Sequence, residues 1–231
     1  MTQAMTQLYI GNKNYSSWSM RPWVLMKQAG IAFEEVMVRF DSFGADSKFK
    51  HTILPINPTG TVPVLKDGDI VVYDTLAICE YLAEAHPDKK LWPADKASRA
   101  RARSACAEMH AGFGALRTHC GMNIEADLRE PGRIILRDQP AVRADLARIE
   151  QLWGGLLEAS GGPMLFGDFG IADAYFAPVC TRIKTYGLPV PAAISAYIER
   201  VHALPAVKAW IADALTEKDF VVHDEPYRAS R

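Results

Sequence analysis

The first eighty-five residues change period several times. Residues 7–11 (QLYIG) form a short apolar run of β character, and residues 23–28 stay apolar until Gly30. That predicts a helix stopped by a glycine. Residues 34–40 (EEVMVRF) alternate in polarity, the period of a strand. Beyond a loop, residues 62–66 and 70–73 flank Asp67-Gly68-Asp69. Two β runs around an Asp-Gly turn predict a hairpin. Residues 75–85 then place Leu76, Ile78, Cys79, Tyr81 and Leu82 on one helical face. The predicted order, β-α-β-loop-β-β-α, is that of a small sheet covered by helices.

The texture changes near residue 86. Residues 87–94 hold two prolines and a charge cluster, a linker signature, and beyond them β-branched residues thin out while alanine becomes frequent. Helices are predicted over roughly 95–120, 140–159, 171–186, 191–203 and 205–216. In the second of these, Val142, Leu146, Ile149, Trp153 and Leu156 recur at spacings of three and four. Residues 122–139 are too mixed to assign, and no internal repeat is visible. The expected organisation is an α/β domain over 1–86, a linker over 87–94 and an all-helical domain over 95–231.

Composition narrows the class. The 231 residues are 49% hydrophobic and 23% charged, which suits a globular chain. Lys and Arg number 26 against 27 Asp and Glu, so the basic excess of a nucleic-acid carrier is missing. No apolar run reaches the roughly 18–20 residues of a membrane helix, and residues 1–7 lack the apolar stretch of a signal peptide. A methionine at position 5 suggests that the residues before it are a frayed extension. The cysteines at 79, 106, 120 and 180 show no CxxC spacing, which fits reduced thiols in a cytoplasmic protein and no zinc site.

Three segments carry candidate chemistry. Asn14-Tyr15-Ser16-Ser17-Trp18-Ser19-Met20-Arg21-Pro22 lies where the first strand hands over to the first helix. It reads either as a capping loop or as an anion site, where free backbone N–H groups, a serine hydroxyl and Arg21 meet a negative atom. In Asn57-Pro58-Thr59-Gly60-Thr61-Val62-Pro63-Val64-Leu65 the proline suits a strand start or an edge. A cis Val62–Pro63 bond would turn the Val62 backbone outward, although trans is the commoner isomer. Asp74-Thr75 reads as a helix N-cap that could also offer a carboxylate and a hydroxyl to a polar ligand.

Other features favour structural roles. His110 and His119-Cys120 invite a metal reading, but their spacings supply no third ligand. Arg99, Arg101 and Arg103 do not form one patch, because steps of two on a helix turn by about 200° and send Arg101 away. Met109, Phe113 and Trp153 lie on helical faces and read first as core; the alternative is that the face of Met109, His110 and Phe113 looks toward a ligand site.

Together these segments resemble the cytosolic glutathione transferases. The resemblance rests on the strand and helix order, a serine before the first helix, N-P-x-G-x-V-P-x-L, D-T-x-A-I-x-x-Y-L, the L-W-P linker and Gly170-Ile171-Ala172-Asp173. It covers nearly the whole chain. It implies a thioredoxin-like N-terminal domain that binds glutathione and an all-α domain that completes a site for a small hydrophobic electrophile. It also implies a homodimer, with the first domain of one subunit facing the helices of the other. Where the family usually has Glu-Ser, this chain has Asp74-Thr75, and where it has Ser/Thr before I-A-D, this chain has Gly170. Only the Asp173 half of a capping box can then form. Glycine at a cap costs a few tenths of a kcal/mol, so Gly170→Ser is expected not to lower the melting temperature.

The resemblance further assigns roles. Ser16, counted back five positions from Arg21, aligns with the serine that hydrogen-bonds the glutathione sulfur, with Ser17 as the fallback. Val62, set by a cis Pro63, pairs with the cysteinyl backbone. Asp74 and Thr75 hold the γ-glutamyl end, and Lys50 is a candidate for the glycine carboxylate. A free thiol has a pKa of ~8.5, and lowering it by about two units, worth roughly 2.7 kcal/mol, makes the thiolate dominant. Trp18 occupies the position where some members carry cysteine, which argues against cysteine-type chemistry. The serine cluster also resembles the zeta-like members. A glutathione-dependent isomerase of the maleylacetoacetate type is therefore an alternative, although that subclass's helical arginine falls on Thr185, with Arg182 one turn earlier. A non-catalytic ligand-binding or scaffold protein on the same fold is a second alternative.

Overall fold

A computed structural model describes residues 5–231; the extension expected ahead of Met5 lies outside the described residues. Four strands form one mixed sheet in the order β2-β1-β3-β4: β1 (Gln7–Ile10), β2 (Glu34–Met37), β3 (Val64–Asp67) and β4 (Ile70–Tyr73). β1 runs parallel to β2 and antiparallel to β3, and β3–β4 is the expected hairpin. Helix α1 (Ser17–Ala29) makes the β1–β2 crossover and ends at Gly30, whose φ of 67° is the left-handed stop that glycine allows. Leu8, Ile10 and Leu65 face the core from the sheet and are fully buried, each worth about 1.5–3 kcal/mol. The second strand ends before residue 40, because the Phe40 N–H turns to Asn12 Oδ1 at 2.7 Å. The Val62–Pro63 bond is cis, and β3 begins after the proline.

One stretch expected as loop contains a helix. α2 (Lys48–Ile53) is only six residues, too short to show a period, and side-chain acceptors hold its start. Ser47 Oγ accepts from the Lys50 N–H, and the Asp41 carboxylate accepts from the N–H groups of Lys48 and Phe49. Helix α3 (Thr75–Ala85) covers the predicted residues and is capped by Asp74.

The remainder is helical: α4 (Lys96–Ala111), α5 (Gly114–His119), α6 (Arg129–Asp138), α7 (Pro140–Ser160), α8 (Ile171–Thr185), α9 (Ala192–Ala203) and α10 (Pro205–Thr216). The helix expected over 95–120 is two helices, broken where Phe113 takes a φ of +52°. The Leu116 N–H at the start of α5 is taken by the Asp145 carboxylate at 2.9 Å. α6 lies in the stretch left unassigned; its large apolar residues, Ile134, Ile135 and Leu136, are consecutive in a ten-residue segment, so no recurring helical spacing marks it in the chain. The predicted face of α7 is buried at all five positions. α8 is buried from Ile171 to Ile183, and α1 packs along it, so one helix joins the sheet to the bundle. On α4, Arg99 and Arg103 turn to the Pro93 carbonyl and Glu80, while Arg101 turns away to Ser98, as the helical geometry predicts.

Position 170 corrects an expectation. The Gly170 N–H donates to Asp173 Oδ2 at 3.0 Å, which is the half capping box. A Cβ there, however, would stand 2.9 Å from the Leu91 carbonyl oxygen, the same oxygen that accepts the Ile171 N–H. Glycine is present because a backbone passes close by. Gly170→Ser is therefore expected to destabilise, contrary to the reading from capping alone.

Candidate functional site

The loop between β1 and α1 is held on both sides. Glu217 accepts from the backbone N–H groups of Lys13 and Asn14, and Asn14 Oδ1 accepts from those of Ile124 and Glu125. This fixes Ser16 as the N-cap of α1 and Ser17 as its first residue, both 7% exposed. The two serines line a cleft of about 310 Å³ whose other walls include Lys50, Val62, Arg117 and Arg182. A second cleft of about 200 Å³, lined by Pro63, Asp74, Thr75 and His110, shares Trp18, Thr61 and Val62 with the first. All seven expected site residues thus lie on two adjoining clefts.

The two serines have different partners. Ser16 Oγ donates to Ser19 Oγ at 2.7 Å, and Ser19 Oγ also accepts from the Gly11 N–H at 3.1 Å. Ser17 Oγ accepts from Arg182 Nη2 at 3.0 Å. Lys50 Nζ donates to the Gly60 carbonyl at 2.7 Å, at the cleft wall. Asp74 adopts a φ of 79°; its Oδ1 accepts from the N–H groups of Leu76 and Ala77, while Oδ2 faces His110 Nε2 at 3.4 Å. Thr75 is buried beside it.

Arg21 does not reach the clefts as the loop reading implied. It is fully buried, with its guanidinium 4.0 Å from the Trp18 ring centroid and its Nε donating to the Tyr175 carbonyl at 2.8 Å. Burial pulls it down to about 10. On the Met109–His110–Phe113 face the core reading holds for two of the three residues. Met109 and Phe113 are core residues, and only His110 reaches a cleft, on the Asp74 side. There its Nδ1 lies 2.8 Å from the Tyr175 hydroxyl.

Sequence reasoning missed Arg117 on α5 and assigned Arg182 on α8 no role in the site. Nothing near Arg117 marks it in the chain, whereas a turn count along α8 from Asp173 came within one turn of Arg182. All four cysteines are buried and none lines either cleft. Burial raises their thiols, Cys120 to about 12. Among the described residues no three His, Cys, Asp or Glu side chains converge as metal ligands, and no helix is long and apolar enough to cross a membrane.

Known proteins share this fold. The family model for the glutathione S-transferase N-terminal domain matches residues 15–85, and that for the C-terminal domain matches residues 97–213. Glutathione S-transferase 1 of Dianthus caryophyllus is 30% identical over 190 residues, 81% of each chain. The zeta class glutathione S-transferase of Euphorbia esula is 28% identical over 164 residues, 71% of this chain and 70% of that one. The crystal structure of a glutathione transferase homologue from Burkholderia GL BGR1 with bound glutathione superposes with a TM-score of 0.66 at 26% identity. It covers 90% of this chain and 97% of the other. A thioredoxin-like sheet, an all-helical second part and these matches define the class: the chain belongs to the glutathione S-transferase family.

Proposed function

We propose that the chain is a glutathione transferase that activates the glutathione thiol with a serine hydroxyl, for attack on a small hydrophobic electrophile. One observation carries the reading. The serines at the start of α1 and the Asp74-Thr75 cap of α3 flank Val62 on adjoining clefts. That order suits a tripeptide thiol laid across them: sulfur at Ser16, cysteinyl backbone against Val62 beside Pro63, γ-glutamyl end at Asp74 and Thr75. Lys50 then meets the glycine carboxylate.

Thiol ionisation drives the chemistry. A hydroxyl donating to the sulfur stabilises the thiolate, and the positive end of α1 adds to it. The single Ser16 proton is given to Ser19 Oγ in this structure, so donation to the sulfur needs that pair to reverse: Ser19 Oγ, which keeps the Gly11 N–H, donates back to Ser16 Oγ and frees the Ser16 proton for the sulfur. The thiol proton leaves to solvent and the serine keeps its own. The electrophile would lie against Tyr15, Phe40, Phe43 and Met122, the apolar side of the larger cleft. A cytoplasmic homodimer without metal completes the proposal.

Isomerase chemistry of the maleylacetoacetate type is a second reading, favoured by the zeta class relative and by Arg182 on the cleft wall. Calorimetric titration with reduced glutathione tests the site. The wild type should bind, and Asp74→Ala should weaken binding about tenfold, near 1.4 kcal/mol. Ser16→Ala should still bind and raise the pKa of the bound thiol, read as thiolate absorbance against pH. A folded wild type that does not bind glutathione overturns the proposal, and binding without turnover of any electrophile points to a binding protein.

A further inference from the structure

Arg182 brings a positive charge to the wall of the larger cleft with no carboxylate to meet it. Its guanidinium is buried; Nη1 donates to the Cys120 carbonyl at 2.5 Å, Nη2 donates to Ser17 Oγ at 3.0 Å, and among the described residues Nε has no acceptor. Arg103, Arg148 and Arg228 show the ordinary arrangement, each bonded to a glutamate through two nitrogens. The Asp224 carboxylate acts on Arg182 only at a distance. Two neutral oxygens offset the desolvation of a buried guanidinium incompletely. The missing negative charge belongs beside Ser17, where the bound sulfur would lie.

The partner atoms say how Arg182 would act. Ser17 Oγ accepts a charge-assisted hydrogen bond, which draws electron density from the hydroxyl and strengthens it as a donor. Among the described residues, the Ser17 proton is committed to no acceptor, whereas the Ser16 proton is given to Ser19. We infer that Arg182 is a positioning residue for the thiolate: it fixes and polarises Ser17, so that this hydroxyl joins Ser16 as a second donor to the glutathione sulfur. The inference rests on the proposed function and adds a residue to it. Burial brings Arg182 down to about 10, so it stays charged at neutral pH. The other groups on this wall are Lys50, Arg117, Asp224 and Tyr15, and only Asp224 is a carboxylate. The Tyr15 phenol is pushed up to about 12 by burial and by Glu225, so it stays neutral.

Thiolate absorbance of bound glutathione across pH tests this, with S-methylglutathione, which has no thiol, as the binding control. Arg182→Met and Ser17→Ala should each raise the thiol pKa by about one unit, a tenfold loss of thiolate below the pKa. S-Methylglutathione affinity should stay within about twofold in both. The double variant should rise no further than the larger single effect, because the two residues act as one unit. Arg182→Lys, which keeps the charge and loses the fork, should fall between wild type and Arg182→Met. An unchanged thiol pKa in Ser17→Ala overturns the inference. So does an Arg182→Met protein that loses S-methylglutathione and glutathione affinity equally, the mark of a purely structural arginine. If Arg182→Met does not fold, Ser17→Ala against Ser17→Thr decides: the threonine keeps the hydroxyl and should keep the low pKa. A wild type with no thiolate signal at all sinks the proposed function itself, which separates the two failures.

Discussion

A Cβ at position 170 would press on the Leu91 carbonyl oxygen, whereas one at position 154, in the middle of α7, would meet nothing within 4 Å. The two glycines make a controlled pair. Gly170→Ser should cost about 1–3 kcal/mol, the range for forcing atoms into packed space, and lower the melting temperature by several degrees. Gly154→Ala should instead gain about 0.5–1 kcal/mol from helix propensity. Thermal unfolding of both variants beside the wild type checks the contrast. The capping argument was sound for the Asp173 bond and failed at Gly170 because Leu91 is 79 positions away in the chain. The same limit hid Arg117 and Arg182, which reach the cleft from separate helices. The positions of Ser16, Ser17, Asp74 and Thr75 at helix starts and of Val62 and Pro63 just ahead of β3 were legible from local signatures, while the roles given to them came from the family resemblance.

Elements were legible in proportion to the apolar face they bury. α7 has five buried positions at helical spacing and was outlined nearly to the residue. α6 buries only Gly132 and Ile135, and α2 is six residues whose start is set by Ser47 and Asp41. The start of α8 shows what a fully buried element asks of its cap. Asp173 is 1% exposed; burial raises its carboxyl to about 6, against hydrogen bonds from the Leu165 and Gly170 N–H groups and the Tyr197 hydroxyl. A raised acid is protonated in the folded chain while the unfolded chain has already ionised. Its contribution is therefore most favourable below the ordinary aspartate value of about 3.9 and is lost as pH rises toward 6. Asp173→Asn cannot titrate there. Between about pH 4 and 7 the wild type should lose stability relative to Asp173→Asn by up to about 3 kcal/mol, read as the difference in melting temperature across pH.

At the scale of the whole molecule, the C-terminal tail closes one side of the cleft that α1 and α8 open. Glu225, 5% exposed, accepts from the Tyr15 hydroxyl at 2.7 Å, Asn123 Nδ2 at 2.9 Å and Arg228, so one carboxylate ties the β1–α1 loop, the helical part and the tail. The Tyr227 hydroxyl donates to the His119 carbonyl, Arg39 pairs with Asp219, and the His223 ring lies edge-on to Phe43 at 5.2 Å. Asp224 then forms part of the cleft wall. Burial alone would raise the Glu225 carboxyl, but the hydrogen bonds from Arg228, Tyr15 and Asn123 outweigh it and hold the group below the ordinary glutamate value. A depressed acid contributes stability that is present above its unfolded pKa and lost as pH falls through its folded one. Acid should therefore loosen the tail before it unfolds the core, and Glu225→Gln should loosen it at neutral pH by about 1–3 kcal/mol, the cost of an unmet buried partner. Limited proteolysis should cut after residue 218 faster in Glu225→Gln than in the wild type, while the body of the chain stays protected. Because Asp224 of the tail lines the larger cleft, the one proposed for the electrophile, and Asp74 lies on the other, the KM for an electrophile should rise several-fold while S-methylglutathione affinity holds. If both affinities fell together, the tail would be bracing the glutathione wall as well, and the two clefts would open as one.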